Sequence, residues 1–245
     1  MTDADLRQLG RLFEVMEQLR APGGCPWDRA QTHRTLLPFL LEETYETIQA
    51  AEQGDPGELA EELGDLLTEV AMQTAIASEA ETFGIGTVAR IATEKMIGRH
   101  PHVFSDLKVE GVTEVMRNWE ELKRQEKPER ESALDGIPAT LPALALAAAV
   151  QRRQTREAPT PDPRPTIREL LAGLPEQGGS ARTVDEVIGE LLFQMVTLAR
   201  QHDVDAEGAL RRVATLRRET LRRVELDARS RLPTREGPAD RSLLK

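Results

Sequence analysis

Apolar residues recur at intervals of three and four along most of the chain, the spacing that collects them on one face of an α-helix. Strand-type alternation of apolar and polar residues is nearly absent. The pattern predicts an all-α protein, with a short helical stretch near Ile167 to Leu171 and longer helices at about 4–20, 32–53, 56–80, 86–99, 112–127, 142–157, 183–202 and 206–227.

Two segments interrupt the first helices decisively. The run 21–26 is rich in proline and glycine and ends the first helix. In the segment 54–57, Asp55 precedes Pro56, the arrangement of an N-cap residue followed by proline at the first helical position. Because this turn is so short, the helices before and after it are expected to pack antiparallel.

The chain contains an internal repeat that divides it into two helical units. The run 63–67 (Leu-Gly-Asp-Leu-Leu) returns at 188–192 as Ile-Gly-Glu-Leu-Leu, and 91–93 (Ile-Ala-Thr) returns at 213–215 as Val-Ala-Thr. We therefore predict a first helical domain at 1–127, a linker rich in proline and glycine at 128–141, and a second, diverged copy at 142–245.

Charge is distributed unevenly between the two halves. Residues 1–150 carry a net charge of −13 and residues 151–245 a net charge of +3. The acidic half argues against nucleic-acid binding, which needs clustered positive charge, and is compatible with a cation site. No apolar run is long enough to span a bilayer. The single cysteine, Cys25, excludes an intramolecular disulfide and favours a cytoplasmic location.

Four carboxylates interrupt apolar helix faces on both sides of the 54–57 turn. Glu43 and Glu46 share a stripe with Phe39, while Glu62 shares one with Leu66 and has Asp65 beside it. Buried carboxylates cost several kcal/mol without a partner, so this pattern predicts a cage for a hard cation such as Mg²⁺. No histidine accompanies the cluster, which counsels against zinc or di-iron. A salt-bridged or solvated hairpin remains the alternative.

The spacing Glu43-x-x-Glu46, fifteen residues, Glu62-x-x-Asp65 resembles the signature of the all-α nucleoside triphosphate pyrophosphohydrolases, and the flanking motifs resemble the MazG family more narrowly. Those motifs span about residues 8–127 and comprise Gly24-Cys25-Pro26-Trp27-Asp28, Gln31-Thr32-His33, Leu40-Leu41-Glu42-Glu43, Glu61-Glu62-Leu63-Gly64-Asp65-Leu66-Leu67, Arg99-His100-Pro101-His102-Val103-Phe104 and Asn118-Trp119-Glu120-Glu121-Leu122-Lys123.

The resemblance implies helical-bundle units, hydrolysis of NTPs or dNTPs to the monophosphate and pyrophosphate, and a homodimer or higher homo-oligomer. It also implies Mg²⁺, for which Mn²⁺ can substitute, bound by Glu43, Glu46, Glu62 and Asp65. We expect nucleotide-pool housekeeping as the role. The alternative class is a non-catalytic helical protein that senses nucleotides or binds a partner.

A triphosphate substrate needs positive charge opposite the metal. Lys95 and Arg99 lie one helical turn apart and are predicted to bind phosphates. Trp119 and Lys123 repeat this spacing, and the family uses such a pair for substrate contact, with the ring available to stack on a base. Trp27 is a weaker candidate and is interpreted as a packing residue.

The expected mechanism is in-line attack of water on a phosphorus of the triphosphate, with a carboxylate of the cage accepting the proton. Glu46 is the first candidate for this base, but the sequence does not separate it from Glu43 or Glu62.

The second unit lacks this constellation. Aligning Gly189 with Gly64 places Val187 at the position of Glu62 and Glu190 at that of Asp65. Valine cannot bind a metal, so we predict that residues 142–245 are catalytically inactive and serve oligomerisation or regulation.

Overall fold

The structure, a computed structural model, describes residues 1–126, 129–154, 161–174 and 183–230. These residues form helices and no strands, which confirms the predicted all-α fold. The helices are α1 (Asp3–Arg20), α2 (Pro26–Ala30), α3 (Leu37–Gln53), α4 (Pro56–Glu79), α5 (Ile85–Arg99), α6 (Pro101–Phe104), α7 (Val112–Gln125), α8 (Ala143–Gln154), α9 (Arg164–Ala172), α10 (Val184–Gln201) and α11 (Ala206–Ser230).

The chain forms two compact units, Met1–Glu126 and Lys127–Lys245. In the first, α4 packs against both α1 and α3, while α5 packs against α6 and α7. In the second, α10 packs against α8 and α9, and α11 contacts α8 and α10. Part of the predicted linker and the end of the predicted second domain, 231–245, lie outside the described residues.

Helix α4 has two functionally different halves. Its C-terminal half carries Ala71, Met72 and Ala75, which are buried with Met16 of α1 and Leu36 in the core of the first unit. The small alanine side chains let the neighbouring helices approach closely and bury apolar surface. Its N-terminal half carries carboxylates, and there the carbonyl of Glu62 lies 3.4 Å from the Thr47 hydroxyl of α3. The core therefore anchors the hairpin at one end and leaves the other end for polar side chains.

The α3–α4 turn has the predicted structure. Gly54 ends α3 in the left-handed conformation, with φ 77°, and its N–H donates to the carbonyl of Ala50 at 3.0 Å. The Asp55 side chain accepts hydrogen bonds from the backbone N–H of Gly57 at 2.8 Å and of Glu58 at 3.3 Å. Since both helix ends are capped within two residues, the hairpin has little freedom to change its register.

The second helix was predicted to begin near Thr32 with a possible irregular start around Pro38, and the structure has α3 only from Leu37. Helix α2 was not predicted as a separate helix. Thr32 and Thr35 form a local turn in which the backbone N–H of each donates to the other's hydroxyl, at 2.8 and 3.2 Å. These reciprocal bonds have the pattern of a capping box, and the N–H of Leu36 donates to the carbonyl of Thr32 at 3.3 Å. Residues 32–36 therefore form a separate turn before α3 begins at Leu37. Pro26 stands at the first position of α2, where its missing N–H costs nothing.

The internal repeat is present in local backbone geometry, with an offset of 122 residues. Helices α4 and α10 end at Glu79 and Gln201. Both are followed by a non-glycine residue with positive φ, Glu81 at 53° and Asp203 at 54°. The hydrogen bonds also match: Thr82 N–H donates to Ala77 O at 3.0 Å, and Val204 N–H donates to Ala199 O at 2.9 Å.

This offset differs by three residues from the sequence alignment of Gly189 with Gly64, which implies 125 residues. Three residues are close to one helical turn, so either offset puts apolar residues on nearly the same face, and periodicity alone does not distinguish them. With the observed offset, Glu62 corresponds to Val184 and Asp65 to Val187. Neither position in α10 is acidic.

Gly24 lies where no side chain fits. A Cβ at this position would be 2.2 Å from the carbonyl oxygen of Leu19 and 2.6 Å from that of Gln18, both backbone atoms. We expect Gly24→Ala to lower the free energy of unfolding by about 1–3 kcal/mol, because the turn between α1 and α2 must shift. Urea unfolding followed by circular dichroism measures this.

Gly10, in the middle of α1, provides the matched control, because a Cβ there meets no atom within 4 Å. Gly10→Ala should raise the free energy of unfolding by about 0.5–1 kcal/mol through lower backbone entropy of the unfolded chain. Equal effects of the two substitutions would contradict the proposed clash.

Candidate active site

Helices α3 and α4 bring three of the four predicted carboxylates together. Glu43, Glu62 and Asp65 each have a carboxylate oxygen within 4.8 Å of the others, and we call these three residues the carboxylate cluster. Glu43 and Glu62 are half-buried, and Asp65 is exposed. Among the described residues, no other group of three or more Asp, Glu, His or Cys side chains is this close.

Glu46 lies beside the carboxylate cluster and not within it. Its side chain is exposed, although it shares the α3 stripe with Glu43 and with the buried Ala50. Its negative charge is among those that raise the pKa of Glu43 and of Glu62, so the carboxylate is electrostatically close to both. In the structure, three of the four predicted residues thus lie together, and the fourth, Glu46, is exposed beside them.

Backbone contacts fix the position of the cluster. The hydroxyl of Thr47, one turn along α3 from Glu43, lies 2.8 Å from the carbonyl oxygen of Glu43 and 3.4 Å from that of Glu62 on α4. The Thr47 hydroxyl thus links α3 and α4 at the backbone carbonyls of the two glutamates. Together with the capped turn, it holds the two backbones from which the carboxylates project.

The carboxylates are held where ionisation is unfavourable. Burial raises the pKa of Glu43, and the charges of Asp65, Glu46 and Glu62 raise it further. Burial is also the main cause that raises the pKa of Glu62, followed by the charges of Glu46 and Asp65. Oε2 of Glu62 is buried and has no hydrogen-bond partner in the protein. A bound proton or a cation would relieve this repulsion.

These donors fit a magnesium ion. They are hard carboxylate oxygens on two facing helices, and one buried oxygen is without a protein partner. Magnesium prefers one or two carboxylates plus waters and substrate phosphates, so an open cluster with one exposed side suits it. Zinc, in contrast, is normally bound with nitrogen or sulfur donors, and the cluster contains none.

The predicted substrate-binding residues meet at the α5–α7 contact. The guanidinium carbon of Arg99 lies 5.2 Å from the ring centroid of Trp119, and Nζ of Lys123 lies 4.9 Å from it. Both cations are within the range of cation–π attraction. We call Arg99, Trp119 and Lys123 the basic–aromatic cluster. Lys95, one turn before Arg99, is exposed and lies near enough to lower the pKa of Glu126.

Glu126 is a partner that the sequence analysis missed. Its two carboxylate oxygens accept hydrogen bonds from Arg99, from Nε at 2.9 Å and from Nη2 at 2.5 Å. Hydrogen bonding to Arg99 is the main cause that lowers the pKa of Glu126, and the charges of Arg99, Lys95 and Lys123 add to it. Its spacing, three residues after Lys123 and seven after Trp119, could have indicated a shared helix face.

Glu69 is a second acidic residue to which the sequence analysis gave no role. It follows Asp65 by one turn on α4, and burial raises its pKa. Its Oε2 is buried without a hydrogen-bond partner in the protein, as in Glu62. It is not part of the carboxylate cluster. Its seven-residue spacing from Glu62 was a signal that this face of α4 continues to be acidic.

Trp27 was interpreted as a packing residue, but its side chain is largely exposed. It stands on α2 with 54% of its surface accessible, and its ring meets that of Phe39 edge-on, with centroids 5.7 Å apart. Nδ1 of His33 lies 2.5 Å from the side-chain oxygen of Gln73, which links the turn before α3 to α4. Within the described residues, none of the helices is long and apolar enough to cross a membrane.

Comparison with known proteins bears on the same region. The family model described as the MazG nucleotide pyrophosphohydrolase domain matches residues 31–104, which include α3, α4 and α5. A solved structure of a mazG-related protein from Thermotoga maritima covers 47% of this chain and 98% of its own, with a TM-score of 0.41 and 30% identity.

Full-length relatives extend the match over most of the chain. The chain is 39% identical to the Thermotoga maritima protein named nucleoside triphosphate pyrophosphohydrolase/pyrophosphatase MazG, covering 84% of this chain and 83% of that protein. It is 37% identical to the nucleoside triphosphate pyrophosphohydrolase of Escherichia coli K12, with the same coverage. The resemblance seen in the motifs is thereby confirmed, and the chain belongs to the MazG family of nucleoside triphosphate pyrophosphohydrolases.

Proposed function

We propose that the protein hydrolyses nucleoside triphosphates, NTPs or dNTPs, to the nucleoside monophosphate and pyrophosphate with Mg²⁺, and so contributes to housekeeping of the nucleotide pool. The observation that supports this most directly is the convergence of Glu43, Glu62 and Asp65, with one buried oxygen of Glu62 left without a protein partner. A helical protein gains no stability from such an arrangement unless a cation occupies it.

In this proposal Glu43, Glu62 and Asp65 hold the cation, with Glu46 close enough to contribute. When bound, the cation would offset the negative charge of the carboxylates and of the triphosphate and would favour attack of water on phosphorus. Mn²⁺ prefers the same kind of oxygen donor and should replace it.

Glu46 is our candidate for the residue that accepts the proton of the attacking water. It is exposed, lies on the same helix face as Glu43 and stands outside the group of three. A base must reach both the attacking water and the solvent to which the proton is finally lost, and the exposed position of Glu46 beside the carboxylate cluster supports this role. One water is consumed, and a monophosphate and a pyrophosphate are released.

Lys95, Arg99 and Lys123 are the proposed phosphate-binding residues. Arg99 is already oriented by two hydrogen bonds to Glu126, so its guanidinium loses little further freedom when a phosphate approaches. Lys123 and Arg99 converge on one ring, which brings two positive charges to one place. This concentration of charge would complement the triphosphate in a chain that is otherwise strongly acidic in its first half.

We also propose a homodimer or higher homo-oligomer as the working form. Helix α5 has no buried residue, and Ile91, Met96 and Ile97 are all exposed on it. Large apolar side chains exposed on a helix with no buried residue are typical of a surface that another chain covers. Light scattering coupled to size-exclusion chromatography measures the state directly, and a monomer at all concentrations would contradict this part of the proposal.

The test of the activity is incubation of the purified chain with a panel of NTPs and dNTPs, followed by separation of products. We expect monophosphate and pyrophosphate in equal amounts with Mg²⁺ or Mn²⁺, and no product with excess EDTA. Diphosphate plus orthophosphate would indicate a different reaction. Nucleotide-dependent thermal stabilisation without product would favour the alternative, a nucleotide sensor without turnover.

A further inference from the structure

Trp27 and Phe39 form an exposed aromatic pair next to the carboxylate cluster. The two rings meet edge-on at an interplanar angle of 78°, with 54% of Trp27 and 37% of Phe39 accessible. Phe39 precedes Glu43 by four residues on α3, which places it one helical turn, about 5.4 Å, along the same face. Apolar surface of this size beside a polar site is more typical of ligand contact than of packing.

The backbone that carries Trp27 is fixed although its ring is exposed. Gln31 donates a side-chain hydrogen bond to the carbonyl of Trp27 at 3.1 Å. The buried Arg20 donates to the carbonyls of Asp28 and Gln31, at 2.5 and 3.2 Å. Helix α2 is thus held to the rest of the unit at its C-terminal end. A rigidly mounted ring loses little entropy on binding a flat partner.

The other tryptophan is already engaged. Trp119 has the cations of Arg99 and Lys123 at 5.2 and 4.9 Å from its ring centroid. A nucleobase stacking there would have to displace a cation–π contact. For Trp27, the one aromatic or cation contact among the described residues is its edge contact with Phe39. We therefore assign phosphate binding to the basic–aromatic cluster and base binding to α2.

We infer that Trp27, supported by Phe39, is the surface on which the nucleobase of the substrate stacks. This inference rests on the proposed function, since it takes a nucleoside triphosphate as the ligand of the carboxylate cluster. Stacking accepts any base because every base has a π-face, and larger purines should gain more from it than pyrimidines. Trp27 would then set base preference without touching the reacting phosphorus.

Intrinsic fluorescence can test this because the chain has two tryptophans. In Trp119→Phe protein, the signal comes from Trp27 alone. We expect an α,β-methylene nucleoside triphosphate with Mg²⁺ to quench it, and inorganic tripolyphosphate, which has no base, to leave it nearly unchanged. An equal response to both ligands, or no response of Trp27 to the nucleotide, would overturn the inference.

Kinetics provide the second readout. Trp27→Ala should raise KM for nucleotides roughly tenfold, and Trp27→Phe should restore most of the loss, since stacking needs a ring and not indole in particular. Inhibition by tripolyphosphate should be the same in wild-type and Trp27→Ala protein. As a control, Phe83→Ala removes an aromatic ring that is 41% exposed and lies just beyond the C-terminal end of α4. This substitution should leave KM unchanged.

The outcomes separate this inference from the proposed function. If the wild-type protein hydrolyses nucleotides but Trp27→Ala has wild-type KM for purine and pyrimidine substrates, the stacking role is wrong and the function stands. If nucleotides quench Trp27 and no pyrophosphate appears under any condition, the function is wrong and the stacking role stands. Because Trp27 is exposed, its truncation leaves no cavity, and circular dichroism checks that the fold is retained.

Discussion

Replacing Glu62 with glutamine is expected to abolish nucleotide hydrolysis and to stabilise the metal-free protein at the same time. If Glu62 holds the cation as proposed, the catalytic loss should be at least about a hundredfold, because such a carboxylate supports several kcal/mol of charge stabilisation in the transition state. The gain in stability follows from removing one of several mutually repelling, partly buried charges. Activity assays and thermal unfolding in EDTA measure the two effects on one preparation.

Glu61→Gln is the matched control. Glu61 precedes Glu62 on α4, is exposed, and is outside the carboxylate cluster. Its substitution changes the net charge by the same amount and should leave activity close to wild type. Because the charge of Glu61 is a lesser cause of the raised pKa of Glu62, it should raise the metal-free melting temperature less than Glu62→Gln does. If Glu62→Gln retained wild-type turnover, or if both variants lost activity equally, the carboxylate cluster would not be the catalytic site.

The effect of Glu62→Gln on the stability of the metal-free protein should depend on pH. In the folded protein the pKa of Glu62 and of Glu43 is raised above the ordinary value of 4.5, so the folded state binds these protons more tightly than the unfolded state. Their protonated forms therefore favour folding at pH below 4.5, and this stabilisation is lost as pH rises toward the folded-state pKa values. The advantage of Glu62→Gln over wild type should grow with pH in EDTA and shrink when Mg²⁺ is added.

The helices were predictable because the apolar period of this chain is regular and its caps are local. Asp55 and Pro56 fix the start of α4 by interactions within four residues, and the structure has them as expected. The start of α3 was not predictable from periodicity, because Leu36 is apolar and fully buried yet lies before the helix. Thr32 and Thr35 instead close a separate turn just before it.

The helix face on which a residue lies was easier to predict than how deeply its side chain is buried. Sequence spacing placed Glu43 and Glu46 on one face of α3, and the structure agrees. Periodicity gives the direction of a side chain, but whether it lies over the neighbouring helix or beyond it depends on the packing of α3 on α4. Glu46 is exposed beside the cluster for this reason. Similarly, the sequence shows the i, i+4 pairs in α5 and α7. It does not show that Arg99 and Lys123 both lie close to the ring of Trp119.

The second large effect is expected at Arg20, far from the carboxylates. Its side chain is 5% exposed and makes four hydrogen bonds: Nε and Nη2 donate to the two carboxylate oxygens of Glu79, each at 2.8 Å, and Nη1 donates to the carbonyls of Asp28 and Gln31. One guanidinium thus joins the end of α1 to α2 and to the end of α4. No apolar side chain can replace these bonds.

We expect Arg20→Met to lower the free energy of unfolding of the protein by about 2–3 kcal/mol, which corresponds to a fall of roughly 10 °C in melting temperature. The full cost of breaking a buried ion pair is larger, but Glu79 is 48% exposed and water will solvate it when its partner is lost. The two carbonyl oxygens around α2 are the groups left without a donor. Denaturant titration and calorimetry both measure the loss.

Arg11→Met separates this network from an ordinary surface charge. Arg11 is on the same helix and pairs with Glu14 at 3.9 Å, with 70% and 71% of the two side chains exposed, so its removal should cost less than about 0.5 kcal/mol. Arg20→Met should also raise KM for nucleotides at temperatures where the protein is still folded, because α2 carries Trp27. Equal stabilities of the two variants would show that α2 is held by its turn alone. The hydrogen bonds of Arg20 would then not be what holds Trp27 in position.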